Sequence, residues 1–519
     1  MKVVSSKEMK EIEKVTIDEF GISEELLMER AGISVVQAIW HELGSLEDRN
    51  FLIICGSGNN GGDGYVTARD LLNYTEAVRV VSIDEPRSEV SKINSDRYIR
   101  HGGIIYKYSD IGLEKLSEMI SSADIVIDAI FGTGLDRVID EKKYIDTIGA
   151  INLYSRFTVS IDIPSGVATD TGKILDYAVQ ADMTVTFGYP KPCHVLFPGR
   201  ELTGKLKIAK IGIPSQIHNI FEFDKSLLTV ENVHRPNRPR WSHKGDFGEV
   251  IVIGGSDKYI GAPVLSALSA QRCGSGITRL VVPEKSCQCA MSHDPSLICN
   301  GIDGKLSADY VNEFISSLPS NAVLLIGPGW SVENEEDKIK ILEFAIGKVS
   351  NPVVIDADGI NILAKTPYLK DLLREKSSSK TIILTPHPGE FSRLTGKPIK
   401  EIKQNYQEVK SFSQQYMVIT SLKDATTIIS DGETIYFNIT GNTSLSKAGS
   451  GDILSGILAA FLSQHLRPID AVKTAVYTFG LVGEMIPSEG MNSSFEVIFK
   501  LPEVLNKLDR FDENQLRMD

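Results

Sequence analysis

Short apolar runs recur along the first 215 residues, and each ends in a glycine-rich turn. Residues 51–55 (FLIIC) lead into the glycine-rich stretch 56–64 and then a helical segment, 65–72 (YVTARDLL). Residues 124–131 (DIVIDAIF) lead into Gly132-Thr133-Gly134, and 157–164 (FTVSIDIP) into Ser165-Gly166-Val167. An apolar run, a glycine turn and an amphipathic helix make one α/β unit, so their repetition predicts a mainly parallel sheet layered with helices. Two helices are expected ahead of the first run. In the second, Ser23 fits the N-cap, and Leu27, Ala31, Val35 and Ile39 recur every four residues as one apolar stripe.

This pattern stops after 210–214 (KIGIP). Residues 234–241 (HRPNRPRW) concentrate proline and arginine and read as a linker or extended arm. A second α/β series opens at 248–256 (GEVIVIGGS), with a helix from about Pro263. Further strands are expected at 278–283, 322–327, 352–356, 381–385, 416–420 and 434–438. At ~150 residues per domain, the 519-residue length suggests three or four domains. The pattern favours two large ones: 1–219 and 241–519, joined by a linker over 220–240.

Composition changes this picture little. Hydrophobic residues at 42% and charged residues at 24% argue against a largely disordered chain. Charge matters more. The net charge of −13 disfavours a nucleic-acid partner, so any phosphate must be held by local backbone N–H groups and a few cations. No run of ~18 apolar residues predicts a membrane span. Residues 1–15 interleave Lys and Glu and lack the apolar core of a signal peptide, so the expected location is the cytoplasm. Small-molecule partners and a homo-oligomer are expected. Six cysteines are too sparse for a disulfide scaffold. Cys287, Cys289, His293 and Cys299 match no common zinc spacing and read as buried or half-exposed thiols.

The densest motif in the first half is Gly58-Asn59-Asn60-Gly61-Gly62-Asp63-Gly64, between a strand and a helix. Glycines there let backbone N–H groups approach an anion, and the helix N-terminus adds partial positive charge. Packing alone explains glycines but not Asn59, Asn60 and Asp63. Two other strand ends carry Asp128, Asp162 and Ser165. In an open parallel sheet these ends converge on one crevice. There Asn60, Asp128 and Ser165 could give oxygen ligands to a hard cation, while Asp128 and Asp162 could equally cap turns.

These motifs carry a resemblance. Residues 27–32 (LMERAG), 58–69, 128–135 (DAIFGTGL), 162–166 (DIPSG) and 190–214 resemble the NAD(P)H-hydrate epimerase family. The resemblance implies a Rossmann-like domain that interconverts the R and S forms of hydrated NADH and NADPH. It implies that substrate phosphates sit on Asn59, Asn60, Gly61, Gly62 and Asp63 and on Gly132, Thr133, Gly134, Leu135, Asp136, Arg137 and Val138, with Asp162 nearby. It implies potassium held by Asn60, Asp128 and Ser165. Asp162 and Asp128 are the expected catalytic carboxylates, since a carboxylate can shuttle the proton as hydroxide leaves and returns.

In the second half, Gly449-Ser450-Gly451-Asp452 opens an apolar helix pattern of Ile453, Leu454, Ile457, Leu458 and Phe461. A carboxylate at such a helix start can act as a base on a hydroxyl being phosphorylated. His387, between Pro386 and Pro388, reads as a loop residue. Asp356 and Asp358 suit Mg²⁺ at a strand end, or Asp358 caps a helix. Lys423 reads as a phosphate partner or as a solvated surface lysine.

Residues 243–256, 261–267, 326–329, 354–361, 384–396 (LTPHPGEFSRLTG) and 438–456 resemble the ribokinase-like fold and, more narrowly, the ADP- or ATP-dependent NAD(P)H-hydrate dehydratases. The resemblance implies a hydrated dinucleotide near Ala262, Gly329, His387 and Asp452. It places the phosphoryl donor, with Mg²⁺, on Lys423, Asp424, Ala425, Thr426, Thr427 and Gly451. Asp452 is the expected base, and the fusion resembles the ADP-using members. Three positions depart from the family pattern: Asp424 replaces a small residue, Ala448 a glycine, and Trp330 follows Gly329 where leucine is usual. The competing readings are a ribokinase-superfamily small-molecule kinase fused to a ligand-binding domain, and a first domain that is an inert regulatory module.

Overall fold

The computed structural model describes residues 1–135, 137–304, 306–331, 333–486 and 490–508. The chain divides into two compact units, Lys2–Phe223 and a second that begins at Asp224 and takes in Met1.

The first unit holds β1 (Phe51–Cys55), β2 (Val78–Ser82), β3 (Ile104–Lys107), β4 (Ile125–Ala129), β5 (Thr158–Ile161), β6 (Met183–Phe187) and β7 (Lys205–Ala209). They form a parallel sheet in the order β3-β2-β1-β4-β5-β6-β7. Every residue of β1, β4 and β6 is buried, and β1 (FLIIC) reads as the continuous apolar run expected of a strand covered on both faces. On one face, Leu27, Ala31, Val35 and Ile39 of the helix Glu24–Leu43 pack with Ile53, Cys55 and Ile127. On the other, Leu52, Ile54 and Val126 join Leu116, Ile120, Ile148 and Ile151. Ser23 caps its helix as expected, its Oγ accepting from Leu26 N at 3.3 Å.

The chain moves outward from β1 through β2 to β3, then returns to place β4 on the other side of β1. Connections after β1 and β4 therefore leave toward opposite faces and open a crevice at the C-terminal strand ends. The helix after β1 starts at Asn59, inside the glycine run. A Cβ on Gly61 would lie 2.1 Å from the Gly56 carbonyl oxygen, and one on Gly64 2.7 Å from the Ala129 Cβ. These glycines let the helix rest directly against the strand ends.

The second unit holds β8 (Lys225–Leu227), β9 (Glu249–Ile253), β10 (Ile277–Pro283), β11 (Ile298–Ile302), β12 (Val323–Ile326), β13 (Val353–Ile355), β14 (Ile382–Leu384), β15 (Ile419–Leu422), β16 (Thr427–Ser430) and β17 (Ile435–Asn438). Their order is β11-β10-β9-β12-β13-β14-β15-β16-β17-β8. Pairing is parallel except on the two sides of β16. Residues 225–227, inside the stretch read as linker, form an edge strand paired to β17. Three residues are too few to show a period, which is why the sequence hid this strand. Val250, Val252, Leu280 and Leu325 share one core with Ile453, Ile457 and Phe461 of the helix Ser450–Ser463. The order reverses again, between β9 and β12. No helix among the described residues is long and apolar enough to cross a membrane.

Candidate active sites

A cavity of about 560 Å³ sits in the first unit at the crevice between β1 and β4. Of the residues that the resemblance assigns to the substrate, Asn59, Asn60, Asp63, Gly132, Thr133, Gly134, Leu135, Arg137, Val138 and Asp162 line it. Asp136 lies outside the described residues. Gly61 and Gly62 stand behind the wall: a Cβ on Gly62 would lie 2.5 Å from Ser91 Oγ and 2.6 Å from the Met28 side chain. What Gly61 can offer a ligand is a backbone N–H from the first helical turn.

Asp128 does not face the cavity, against the expectation that it moves a proton. It is fully buried, and its carboxylate accepts four hydrogen bonds. Ile130 N (3.2 Å) and Ser165 Oγ (2.6 Å) donate to Oδ1, and Ser160 Oγ (2.8 Å) and Ser165 N (2.9 Å) to Oδ2. Burial raises its pKa, which these bonds oppose. A side chain so engaged fastens β4 to the loop after β5; it is a poor proton carrier.

Asp162 does face the cavity, and its environment favours the anion at rest. Lys191 Nζ (2.7 Å) and Thr186 Oγ1 (2.9 Å) both donate to its Oδ1. Burial works against the charge, but Lys191 more than offsets it and holds the carboxyl below its ordinary value. The backbone is fixed as well, with φ of 63°. His194 Nε2 lies 2.9 Å from the Asp162 carbonyl oxygen, and His194 Nδ1 accepts from Lys191 N at 3.0 Å. Since Nδ1 accepts, Nε2 carries the proton and donates. Burial lowers the imidazole pKa to about 3, so the ring stays neutral.

Five other carboxylates line the cavity, Glu13, Glu24, Asp63, Asp140 and Glu141. Asn59 Nδ2 donates to Glu24 Oε1 at 2.7 Å. Burial pushes Glu13 up to about 7. Burial, then the charges of Asp162 and Glu13, raises Asp63 well above the carboxylate range. Asp63 thus belongs to a carboxylate cluster, not to a phosphate cradle.

In the second unit, strand ends bring together Asp356, His387, Lys423 and Asp452. Lys423 Nζ donates to Asp356 Oδ1 at 2.6 Å. Burial disfavours the ammonium, but Asp356 and Glu390 keep its pKa raised. A Cβ on Gly451 would lie 3.2 Å from Lys423 Nζ, so the amine rests against the start of the helix Ser450–Ser463. Burial, then Asp356, pushes Asp452 up to about 7. His387 caps the helix Pro388–Thr395, its Nδ1 accepting from Gly389 N at 2.9 Å. Gly329 has φ of 70°, and a Cβ there would lie 3.0 Å from the Ala262 Cβ.

Asp358 does not cap its helix. Its Oδ2 accepts from Ser331 N (2.8 Å) and its Oδ1 from Asn361 Nδ2 (3.1 Å), which ties down the loop after β12. Asp424 turns to Lys403, 2.9 Å away, and accepts from Ala425 N. Trp330 is fully buried. Thr426 is buried, and Thr427 opens β16. Among the described residues no cluster of His, Cys, Asp and Glu forms a metal site, the Cys287 region included.

Two family models match the chain: YjeF-related protein N-terminus over residues 24–193 and NAD(P)H-hydrate dehydratase over 250–496. A bifunctional NAD(P)H-hydrate repair enzyme of Moorella thermoacetica is 34% identical over 98% of this chain and 97% of its own. The chain belongs to the bifunctional NAD(P)H-hydrate repair enzymes. A second member, from Thermofilum pendens, is 33% identical over the same shares. A solved Bacillus subtilis ADP/ATP-dependent NAD(P)H-hydrate dehydratase, co-crystallised with ATP/Mg²⁺, is 28% identical and covers 55% of this chain and 98% of that one, at a TM-score of 0.48.

For a repair enzyme, the polar residues that the sequence did not single out are informative. Lys191 and His194 lie in a segment that only the family resemblance marks, and Glu13 and Glu24 lie on helices that look merely amphipathic. In the second unit, Glu390 is buried and its Oε2 accepts from His387 N at 2.8 Å. Glu390 follows Gly389 directly; the others lie outside the glycine runs of both sites. Only proximity in the fold marks them.

Proposed function

We propose that the first unit interconverts the R and S forms of hydrated NADH and NADPH, and that the second dehydrates the S form with ADP or ATP as phosphoryl donor. The observation that carries the first half is an anionic Asp162 inside a cavity at the β1/β4 switch point. Backbone N–H groups at Asn59–Gly61 and the Gly132–Val138 loop, with Arg137, would take the substrate phosphates. The cavity's carboxylates would handle the proton as the ring nitrogen expels and recaptures hydroxide.

Asn60, Asp128 and Ser165 fit a potassium ion. The donors would be the Asn60 carbonyl and Ser165 hydroxyl oxygens beside one carboxylate, Asp128, and the buried Asn60 Nδ2 has no partner among the described residues. Rotating that amide presents its carbonyl oxygen instead. The ion would add local positive charge to an acidic protein. Asn60 and Ser165 would hold it, and Asp128 would orient Ser165.

In the second unit, Asp452 would take the proton from the hydrate hydroxyl as the phosphoryl group arrives. The helix start at Ser450 and Lys423 would stabilise the phosphate charge. Loss of phosphate then restores the dihydronicotinamide. Mg²⁺ would come with the nucleotide and offset its charge, and Asp356, bonded to Lys423, is a carboxylate at the same site that would be available to it. The division at Phe223/Asp224 gives the cut for separate expression, and it leaves β8, inside the stretch read as linker, with the second unit.

The test supplies hydrated NADH with ADP or with ATP and follows the return of NADH absorbance. Recovery of both R and S material supports the two-activity reading. Phosphorylation of an unrelated alcohol without NADH recovery overturns it. Asp162→Ala should bring R/S interconversion to the uncatalysed rate; an unchanged rate would make the first unit a binding module.

A further inference from the structure

The first unit's cavity contains one carboxylate paired to a buried lysine, Asp162, and another, Glu13, with no ion pair of its own among the described residues. Asp162 takes both Lys191 and Thr186 on Oδ1. Glu13 reaches the same cavity from the N-terminal helix Ser6–Asp18. That helix is firmly placed. Val4 N donates to Pro190 O at 3.0 Å, next to Lys191. Ser6 N and Oγ donate to Asp170 at 2.7 and 2.6 Å. Met9 and Ile12 pack with Val4, Ile217 and Tyr189 in a separate apolar cluster. The N-terminal helix is therefore tied at two points, Asp170 and Pro190, to the chain that follows Asp162, and it delivers one acidic side chain into the cavity that Asp162 faces.

An enzyme that inverts one carbon in both directions needs an acid and a base at once. We propose that Glu13 is the acid that meets the departing hydroxyl, with Asp162 as the base for the returning water. This rests on the epimerase reading of the first unit. The ring-nitrogen lone pair forms a C=N bond as the C–OH bond breaks, and its electron pair leaves on oxygen with the Glu13 proton, as water. Water then adds to the other face. Its oxygen forms the new C–O bond, the π pair returns to nitrogen, and Asp162 accepts the released proton. Glu13 ends ionised and Asp162 protonated, which is the state that runs the reverse reaction. No co-reactant beyond water is needed.

The burial that pushes Glu13 up to about 7 keeps it largely protonated below neutrality. The charged groups facing it are Lys191, Asp162, Glu24 and Lys10, with Asp63 from the glycine-run helix. Lys191 is committed to Asp162.

The experiment uses the full chain and measures R-to-S conversion from pH 5 to 9 by chromatography of hydrated NADH. For the wild type, kcat should fall about tenfold per pH unit above about 7, as the acid form is lost. Glu13→Gln should lower kcat about 100-fold with KM unchanged, and the alkaline limb should vanish. Glu13→Asp, which keeps the carboxyl, should retain the limb at reduced kcat. Glu13→Gln with undiminished kcat and the wild-type pH profile would overturn the assignment. So would loss of the limb in Asp63→Asn but not in Glu13→Gln. A wild type no faster than the uncatalysed reaction would instead sink the epimerase reading itself.

Discussion

The two units use the same device and finish it differently. Each places a glycine-rich helix start at a reversal in strand order, and each buries a lysine against an aspartate at strand ends. In the first unit Lys191 is 1% exposed and bonded to Asp162, Thr186 and the Phe187 carbonyl oxygen. All its donor capacity is used inside the protein, so its function is to keep Asp162 ionised. In the second unit Lys423 is 18% exposed, bonds Asp356 alone among the described residues, and lies against the Gly451 backbone. It keeps donors for a phosphate. The lesson is that a buried Lys–Asp pair acquires its role from what remains unbonded.

The sharpest way to separate the units is Asp452→Ala. It should cut dehydration about 1,000-fold and leave R/S interconversion unchanged, as separate assays on one preparation would show. In the wild type, dehydration should rise about tenfold per pH unit below about 7 and level off above it, because a base must be ionised to act. Loss of both activities in a folded Asp452→Ala protein would end the two-site picture.

Lys191→Met tests the other lysine. It leaves a buried Asp162 without its counter-charge, so epimerisation should fall about 100-fold and the first unit should lose about 3–5 kcal/mol. Thermal unfolding of the full chain should show an earlier transition, with dehydration intact below it. A variant that keeps both stability and rate would mean that Asp162 is neutral.

Lys423→Ala should act mainly on nucleotide binding. Removing a charged hydrogen bond of about 1.5–3 kcal/mol predicts a nucleotide KM raised about 10- to 100-fold. A change in kcat alone would assign Lys423 to the chemistry instead. Asp424→Ala should do least. It removes an exposed ion pair with Lys403, so stability should shift by less than about 1 kcal/mol. The nucleotide KM should stay within about twofold, and a larger fall would place the carboxylate beside the phosphates after all.

The glycine turns, the strand runs and the helix stripes were legible because each depends on local geometry. Close helix–strand contact demands glycine at 61 and 64, and a strand buried on both faces demands an apolar run such as 51–55. The motif residues of both sites followed, since they attach to those turns. Asp424 was legible as an anomaly, but only its contact with Lys403 explains it.

The sequence by itself determined two α/β units, their anion-binding turns and a set of polar side chains near them. Tertiary structure decided which of those side chains can react. Asp128 and Asp162 look alike in sequence, each ending an apolar strand. One is consumed by four hydrogen bonds, while the other is ionised by a lysine 29 residues away and faces a cavity. Glu13 lies further off in the chain, on a helix with no motif. Proton affinity is set by burial and neighbouring charge, and those neighbours come together only when distant segments pack.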